Sequence, residues 1–176
     1  MKIISIKDDP SIIDFLKDNL RLISEPYLLD NYHPDNESFS GNLFRIIQDG
    51  RFNIGNYYVM IADDGEYVGS AGWNQLDEST ALALVRMYVP KKFRAGFIMG
   101  EHVLPILINE TSNYQHTWVT FNSYNKPMYT AMERIHSGKS SSLTPWPAIY
   151  RKFKPLGQHT VNSTLQYVAE YERSIP

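Results

Sequence analysis

Cysteine is absent from the 176 residues, which removes disulfides, thiolate metal sites and a cysteine nucleophile together. Long apolar runs are absent too: nothing approaches the roughly 20 residues a membrane-spanning helix needs. The opening stretch MKIISI is broken by Lys7, Asp8 and Asp9, too soon for the apolar segment of a secretory signal. Neither sign of charge is in excess. Lys plus Arg number 17 and Asp plus Glu 19, a net charge of −2. That balance argues against a general nucleic-acid binder and against a basic membrane-surface protein. His33, His102, His116, His136 and His159 show no ligand spacing, so no metal site is expected. Repeats and low-complexity segments are missing. What remains is expected to be a soluble, cytoplasmic chain; with 43% apolar residues it is long enough to bury a core and reads as one domain over residues 1–176.

Local patterns supply the elements. Residues 2–6 read as a short strand. Ser11 and Asp14 form an S-x-x-D capping pattern, and Ile12, Phe15, Leu16, Leu20 and Ile23 follow at helical spacing, so a helix is expected over 11–23. Residues 24–41 are rich in Pro, Asn, Asp and Ser and read as loop; Leu43, Phe44, Ile46 and Ile47 then suggest a second helix closed near Gly50. Strands at 57–62 and 67–73 flank DDGE, a hairpin signal because Gly accepts the positive φ of the turn. After a polar link at 74–80, a third strand is expected at 81–89. A helix follows at 95–110, which Pro105 should kink or interrupt. Next come a strand at 116–121, a helix at 126–135 with Pro127 in its first turn, a loop at 137–147 and a strand at 149–154. PLGQ at 155–158 reads as a turn. From Val161 onward, Leu165, Tyr167, Ala169 and Tyr171 alternate as a strand, with helix an alternative over Ala169–Arg173. Runs of antiparallel strands followed by strand and helix in alternation define an α+β domain.

The stretch VRMYVPKKFRAGFIMG, residues 85–100, carries the chemistry most worth explaining. A strand ends at Pro90; Lys91, Lys92 and Arg94 follow; then Ala95 and Gly96 lead into a helix. A helix start presents unpaired N–H groups and the positive end of the dipole, so anions bind there. The alternative is a solvated basic turn.

Two stretches resemble the GNAT acyl-CoA N-acyltransferase family. Val89, Pro90, Lys91, Lys92, Phe93 and Arg94 look like the family's fourth strand passing into its CoA loop. In FNSYNKPMY, Asn122 closes the fifth strand and Tyr129 stands seven positions later on the next helix, as in the family pattern. The family loop usually reads Gln/Arg-x-x-Gly-x-Gly/Ala. Counted from Arg94, the small positions hold Phe97 and Met99, and Asn125 stands where the family usually has Ala three residues after the Asn.

The resemblance implies a mixed, mostly antiparallel sheet of about seven strands with helices on both faces. It implies acetyl-CoA or another acyl-CoA as co-substrate, held by Met87, Tyr88, Val89, Arg94, Ala95, Gly96, Phe97, Ile98, Met99 and Asn122. A primary amine, on a small molecule or a peptide, would attack the thioester directly. The strand end near Met87 to Val89 would donate N–H to the developing oxyanion, and Tyr129 would protonate the leaving thiolate. Asp77, Glu78 and His116 are candidate bases by position. The segment PDNESFSGN near 34–42 is either a plain surface loop or a cover over the acceptor, and Trp73, Trp118 and Trp146 are expected as core or pocket aromatics. The competing expectation is a GNAT-fold ligand- or partner-binding module without catalysis. The chain is expected as monomer or homodimer, the final strands offering an edge.

Overall fold

The computed structural model describes residues 1–22, 39–122, 125–139 and 147–173, with backbone alone at 21–22, 39–42 and 95–96. The order is β1 (Lys2–Ser5), α1 (Ile12–Leu22), α2 (Phe39–Gln48), β2 (Gly55–Ile61), β3 (Tyr67–Gln75), β4 (Thr80–Tyr88), a 3₁₀ turn (Lys91–Gly96), a wide helical turn (Met99–Val103), α3 (Leu104–Glu110), β5 (His116–Phe121), α4 (Lys126–His136), a second 3₁₀ turn (Ala148–Lys152), β6 (Phe153–Val161) and β7 (Thr164–Tyr171). The strands form a seven-stranded sheet in the order β1-β2-β3-β4-β5-β7-β6. This is the expected α+β fold with a mostly antiparallel sheet. The chain divides into two compact units, 1–74 with 86–96, and 75–85 with 97–176.

In the first unit, α1 buries Ile12, Leu16 and Leu20, and α2 buries Leu43 and Ile46. One apolar stripe per helix is what the sequence spacing dictates. The capping pattern at Ser11 is not used as expected. Ser11 donates its hydroxyl (2.5 Å) and its N–H (3.1 Å) to Asp9 Oδ1, so its side chain turns back to Asp9 and not forward to the helix. The second helix begins at Phe39, inside the segment read as loop; the rest of that segment, to residue 38, lies outside the described residues. Its end is as expected: Gly50 N–H bonds Ile47 O and Arg51 N–H bonds Ile46 O, the paired closure of a helix into a left-handed residue. β1 pairs antiparallel with β2 from Lys2↔Ile61 to Ser5↔Tyr58, and β2 with β3 from Gly55↔Asn74. The DDGE turn forms, with Ala62 N–H on Glu66 O and Gly65 at φ 88°.

In the second unit, β4 and β5 run parallel from Thr80↔His116 to Ala83↔Val119, and there the ladder stops. β7 pairs antiparallel with β5 and with β6. Leu82, Val161 and Val168 form a buried cluster, bordered by Leu76, Val85, Trp118 and Leu156. α4 buries Tyr129, Met132 and Ile135, and contacts β5, β6 and β7.

Two expectations fail at the C-terminal hairpin. Residues 148–152 are a 3₁₀ turn, and the strand begins only at Phe153. PLGQ lies within β6, and the turn falls on Asn162 and Ser163, both left-handed at φ 49° and 64°. Asn tolerates that backbone, and two positive φ values match the twist of a two-residue hairpin. Pro155 and Gly157 marked a bulge instead: β6 is an edge strand, where a residue without an N–H is tolerated. β7 stays extended to Tyr171, so the helical alternative at Ala169–Arg173 is not adopted.

Candidate active site

β4 is irregular just before the amides that the family resemblance assigns to the oxyanion. Leu84 and Arg86 have left-handed backbones, φ 56° and 51°, inside a strand with no glycine nearby. Non-glycine residues rarely take such angles, and they mark bulges that re-aim a strand next to active sites. In the first unit the distortion is held from below. Tyr57 is fully buried, and its hydroxyl donates to Arg86 O at 2.8 Å and meets Ser70 Oγ at 2.9 Å. Tyr67 Oη meets the same Ser70 Oγ at 2.7 Å. Burial pushes the Tyr57 phenol far above its ordinary pKa, only partly opposed by Ser70. A neutral tyrosine thus anchors the carbonyl of a bulge residue.

Beyond the bulge, Met87 and Val89 are half-buried and Tyr88 is buried, its ring stacked on Tyr67 at 6.3 Å and 5°. The basic turn is less free than its composition suggests. Arg94 folds back, Nε donating to Val89 O at 2.8 Å with the guanidinium 5.8 Å from the Tyr88 ring centre. Lys92 pairs with Glu66 and lies over Phe93. Ala95 and Gly96 close the 3₁₀ turn.

The second unit takes up the chain at Phe97. The helix expected over 95–110 is interrupted rather than continuous. Phe97 is left-handed, φ 48°; Leu104 N–H reaches five residues back to Met99 O; and regular α-helix starts only with Pro105 in its first turn. Pro105 has no N–H for the carbonyl four residues earlier, so the helix passes it by a wide turn, a feature frequent at functional sites. Phe97 and Ile98 are half-buried and Met99 buried. Gly100 serves packing: a Cβ there would stand 2.3 to 2.6 Å from the ring and hydroxyl of buried Tyr150.

Asn122 Oδ1 accepts the Asn125 N–H at 3.1 Å, a local closure of the turn after β5. Tyr129 is 4% exposed. Its hydroxyl accepts the Gly157 N–H at 2.9 Å, and its ring lies 4.7 Å from that of Tyr167 and edge-on to Phe121 at 6.0 Å. Burial raises its pKa, and the Gly157 hydrogen bond opposes the rise.

Two of the three candidate bases, His116 and Asp77, are engaged elsewhere. His116 Nδ1 lies 3.1 Å from Glu170 Oε1, and Trp118 Nε1 donates to Glu170 Oε2 at 2.8 Å. By strand alternation, His116 faces away from the side of β5 on which Phe121 meets Tyr129. Asp77 accepts the Ser79 N–H and hydroxyl, hydrogen bonds that hold its carboxyl below the usual range. Glu78 is exposed. Trp73 and Trp118 are half-buried; Trp146 and residues 34–38 lie outside the described residues, while 39–42 open α2. A shallow depression of about 370 Å³, lined by Pro105, Ile108, Ile149, Lys152, Tyr171 and Arg173 among others, includes no expected site residue. Sequence reasoning missed Tyr57, Ser70, Gly157 and Tyr150. Only Gly157 left a trace, as the glycine in PLGQ.

The architecture is that of the acetyltransferases of the GNAT class. The chain matches an acetyltransferase of the GNAT family from Staphylococcus aureus Mu50 with a TM-score of 0.55 and 17% identity, over 97% of this chain and 98% of that one. It matches an acetyltransferase from Streptococcus agalactiae 2603 with a TM-score of 0.60 and 14% identity, over 98% of both chains. A spermidine N-acetyltransferase from Vibrio cholerae, solved with CoA and spermine, matches with a TM-score of 0.54 and 9% identity over 96% and 92%. The chain therefore has the GNAT fold. No family model and no curated protein matches the sequence.

Proposed function

We propose that residues 1–176 act as one acyl-CoA-dependent N-acyltransferase domain, with acetyl-CoA as the first donor to test and a primary amine as acceptor. One observation supports this above the rest. Phe97 occupies the first glycine position of the family loop and takes a left-handed backbone there, φ 48°. Glycine is the residue that ordinarily adopts such a backbone without strain. At that position the loop takes a backbone that glycine would adopt cheaply, with a phenylalanine in it. The amine nitrogen attacks the thioester carbon, and the N–C bond forms as the C–S bond breaks. The amides of Met87 to Val89 face the developing oxyanion, Arg94 to Met99 and Asn122 hold the donor, and Tyr129 gives its proton to the departing sulfur. The attacking nitrogen gives its extra proton to water, which leaves a neutral amide.

The alternative, a non-catalytic binding module, draws on a different observation: Lys92 and Arg94 are turned to Glu66 and Val89, and Phe97 and Met99 are bulky. Calorimetric titration with acetyl-CoA and with CoA separates the two. Micromolar binding at one site, weakened at least tenfold by Arg94→Glu, is expected. A panel of amines, beginning with spermidine and spermine because a protein of like fold is named for the first and was solved with the second, then reads CoA release. Binding of CoA without turnover on any amine would favour the module; no binding up to millimolar would end the transferase reading.

A further inference from the structure

β6 carries one residue more than its pairing with β7 requires. Pro155 pairs with Ala169 and Gly157 with Val168, so Leu156 stands unmatched between them. Gly157 is left-handed, φ 79°, and a Cβ built on it would meet nothing within 4 Å. The glycine is therefore set by backbone direction and not by space. Its N–H points to Tyr129 Oη at 2.9 Å. A phenol oxygen accepts and donates at once. With the Gly157 amide on one lone pair, the phenol proton must point elsewhere.

We infer that this bulge is a positioning device: the Gly157 amide fixes the Tyr129 hydroxyl with its proton outward and stabilises the phenolate left when that proton departs. The inference rests on Tyr129 as the acid of the proposed transfer. In that step the C–S bond breaks, the thiolate takes the Tyr129 proton, and the phenolate holds the Gly157 hydrogen bond until solvent reprotonates it. Hydrogen bonds to a charged oxygen are stronger than those to a neutral one, so the amide aids the transition state more than the resting enzyme. No other partner is needed to explain the ring's place. Phe121 on β5 and Tyr167 on β7 wall it. The charged groups near it are Glu133, on its own helix, and Lys126, whose Nζ lies over the Tyr167 ring at 5.8 Å.

The test exchanges the Gly157 amide for an ester by incorporating glycolic acid at that position, which removes the N–H and keeps the left-handed backbone. Gly157→Ala is the second variant, since the φ resists a Cβ; Gly65→Ala, at φ 88° with open space, is the control for strain alone. Carbon-13 at the tyrosine ring carbon bearing oxygen reports the Tyr129 phenol titration in the whole protein without any substrate. The titration should move to higher pH in the ester and Gly157→Ala proteins and stay in place in Gly65→Ala. With an amine that turns over, kcat should fall about tenfold and KM for acetyl-CoA should hold, a loss the size of one hydrogen bond. An unmoved phenol titration in the ester protein overturns the inference even if Tyr129→Phe is inactive. Full turnover by Tyr129→Phe overturns the acid role itself, and the titration then still reports whether the amide tunes the phenol.

Discussion

Tyr57→Phe isolates the anchor beneath the β4 bulge. The exchange leaves the buried ring in place, packed on Phe52 with centroids 5.3 Å apart, so no cavity opens. It deletes the donation to Arg86 O at 2.8 Å and the contact with Ser70 Oγ at 2.9 Å. Each buried hydrogen bond contributes about 0.5–1.5 kcal/mol net, so the pair should contribute about 2 kcal/mol. For a chain of this size that lowers Tm by roughly 4–8 °C. Urea unfolding should show a reduced midpoint with an unchanged slope, because no surface is added to either state. A cycle with Ser70→Ala should give a coupling of about 0.5 kcal/mol or more, since both residues share one hydrogen-bonded cluster. Turnover should fall with stability, because Arg86 precedes the amides assigned to the oxyanion. Stability within about 0.5 kcal/mol of the parent, the ordinary range for substitutions away from special features, would refute the reasoning. The left-handed Arg86 would then be held by something other than Tyr57.

The remaining expectations concern Tyr150 and Gly100. Gly100→Ala forces a Cβ to within 2.3 to 2.6 Å of Tyr150, and overpacking of this kind costs about 1–3 kcal/mol. Thermal melting should fall while calorimetric affinity for acetyl-CoA holds; the reverse result would make Gly100 a ligand-facing glycine. Burial pushes the Tyr150 phenol up to about 12. The unfolded phenol ionises near 10 while the folded one keeps its proton, so stability is complete below about pH 10 and falls as pH rises toward 12. Across that window Tyr150 alone should account for roughly 3 kcal/mol, read as a steep loss of denaturant midpoint that Tyr150→Phe makes shallower. An equal slope in that variant would mean the ring reaches solvent.

The parts of the fold legible in sequence are those fixed by neighbours in the chain. Ile12, Leu16 and Leu20 fall on one helical stripe whatever lies opposite, and Asp-Gly turns a hairpin by its own backbone preference. The misplaced elements are those decided by distant partners. PLGQ looked like a turn because it holds Pro and Gly, but the edge position of β6 accepts both, and Asn162 and Ser163 turn the chain instead. Tyr129 and Asn122 were singled out by their spacing, yet the spacing says nothing of Gly157, which meets Tyr129 from 28 residues away.

The loop after β4 shows why. Compared with the family loop, the sequence has Phe97 where a glycine is usual and a glycine at residue 100 instead. In the structure Gly100 gives way to Tyr150, and Phe97 takes the left-handed backbone. Such a backbone costs a non-glycine residue of order 1–3 kcal/mol and persists only where its surroundings over-determine it. At Phe97 those surroundings include a half-buried side chain and the wide turn that carries the helix past Pro105. A glycine motif records which residue makes a backbone path cheap. It does not record whether the path is taken, so the missing glycine at residue 97 is no argument that the loop has lost its shape.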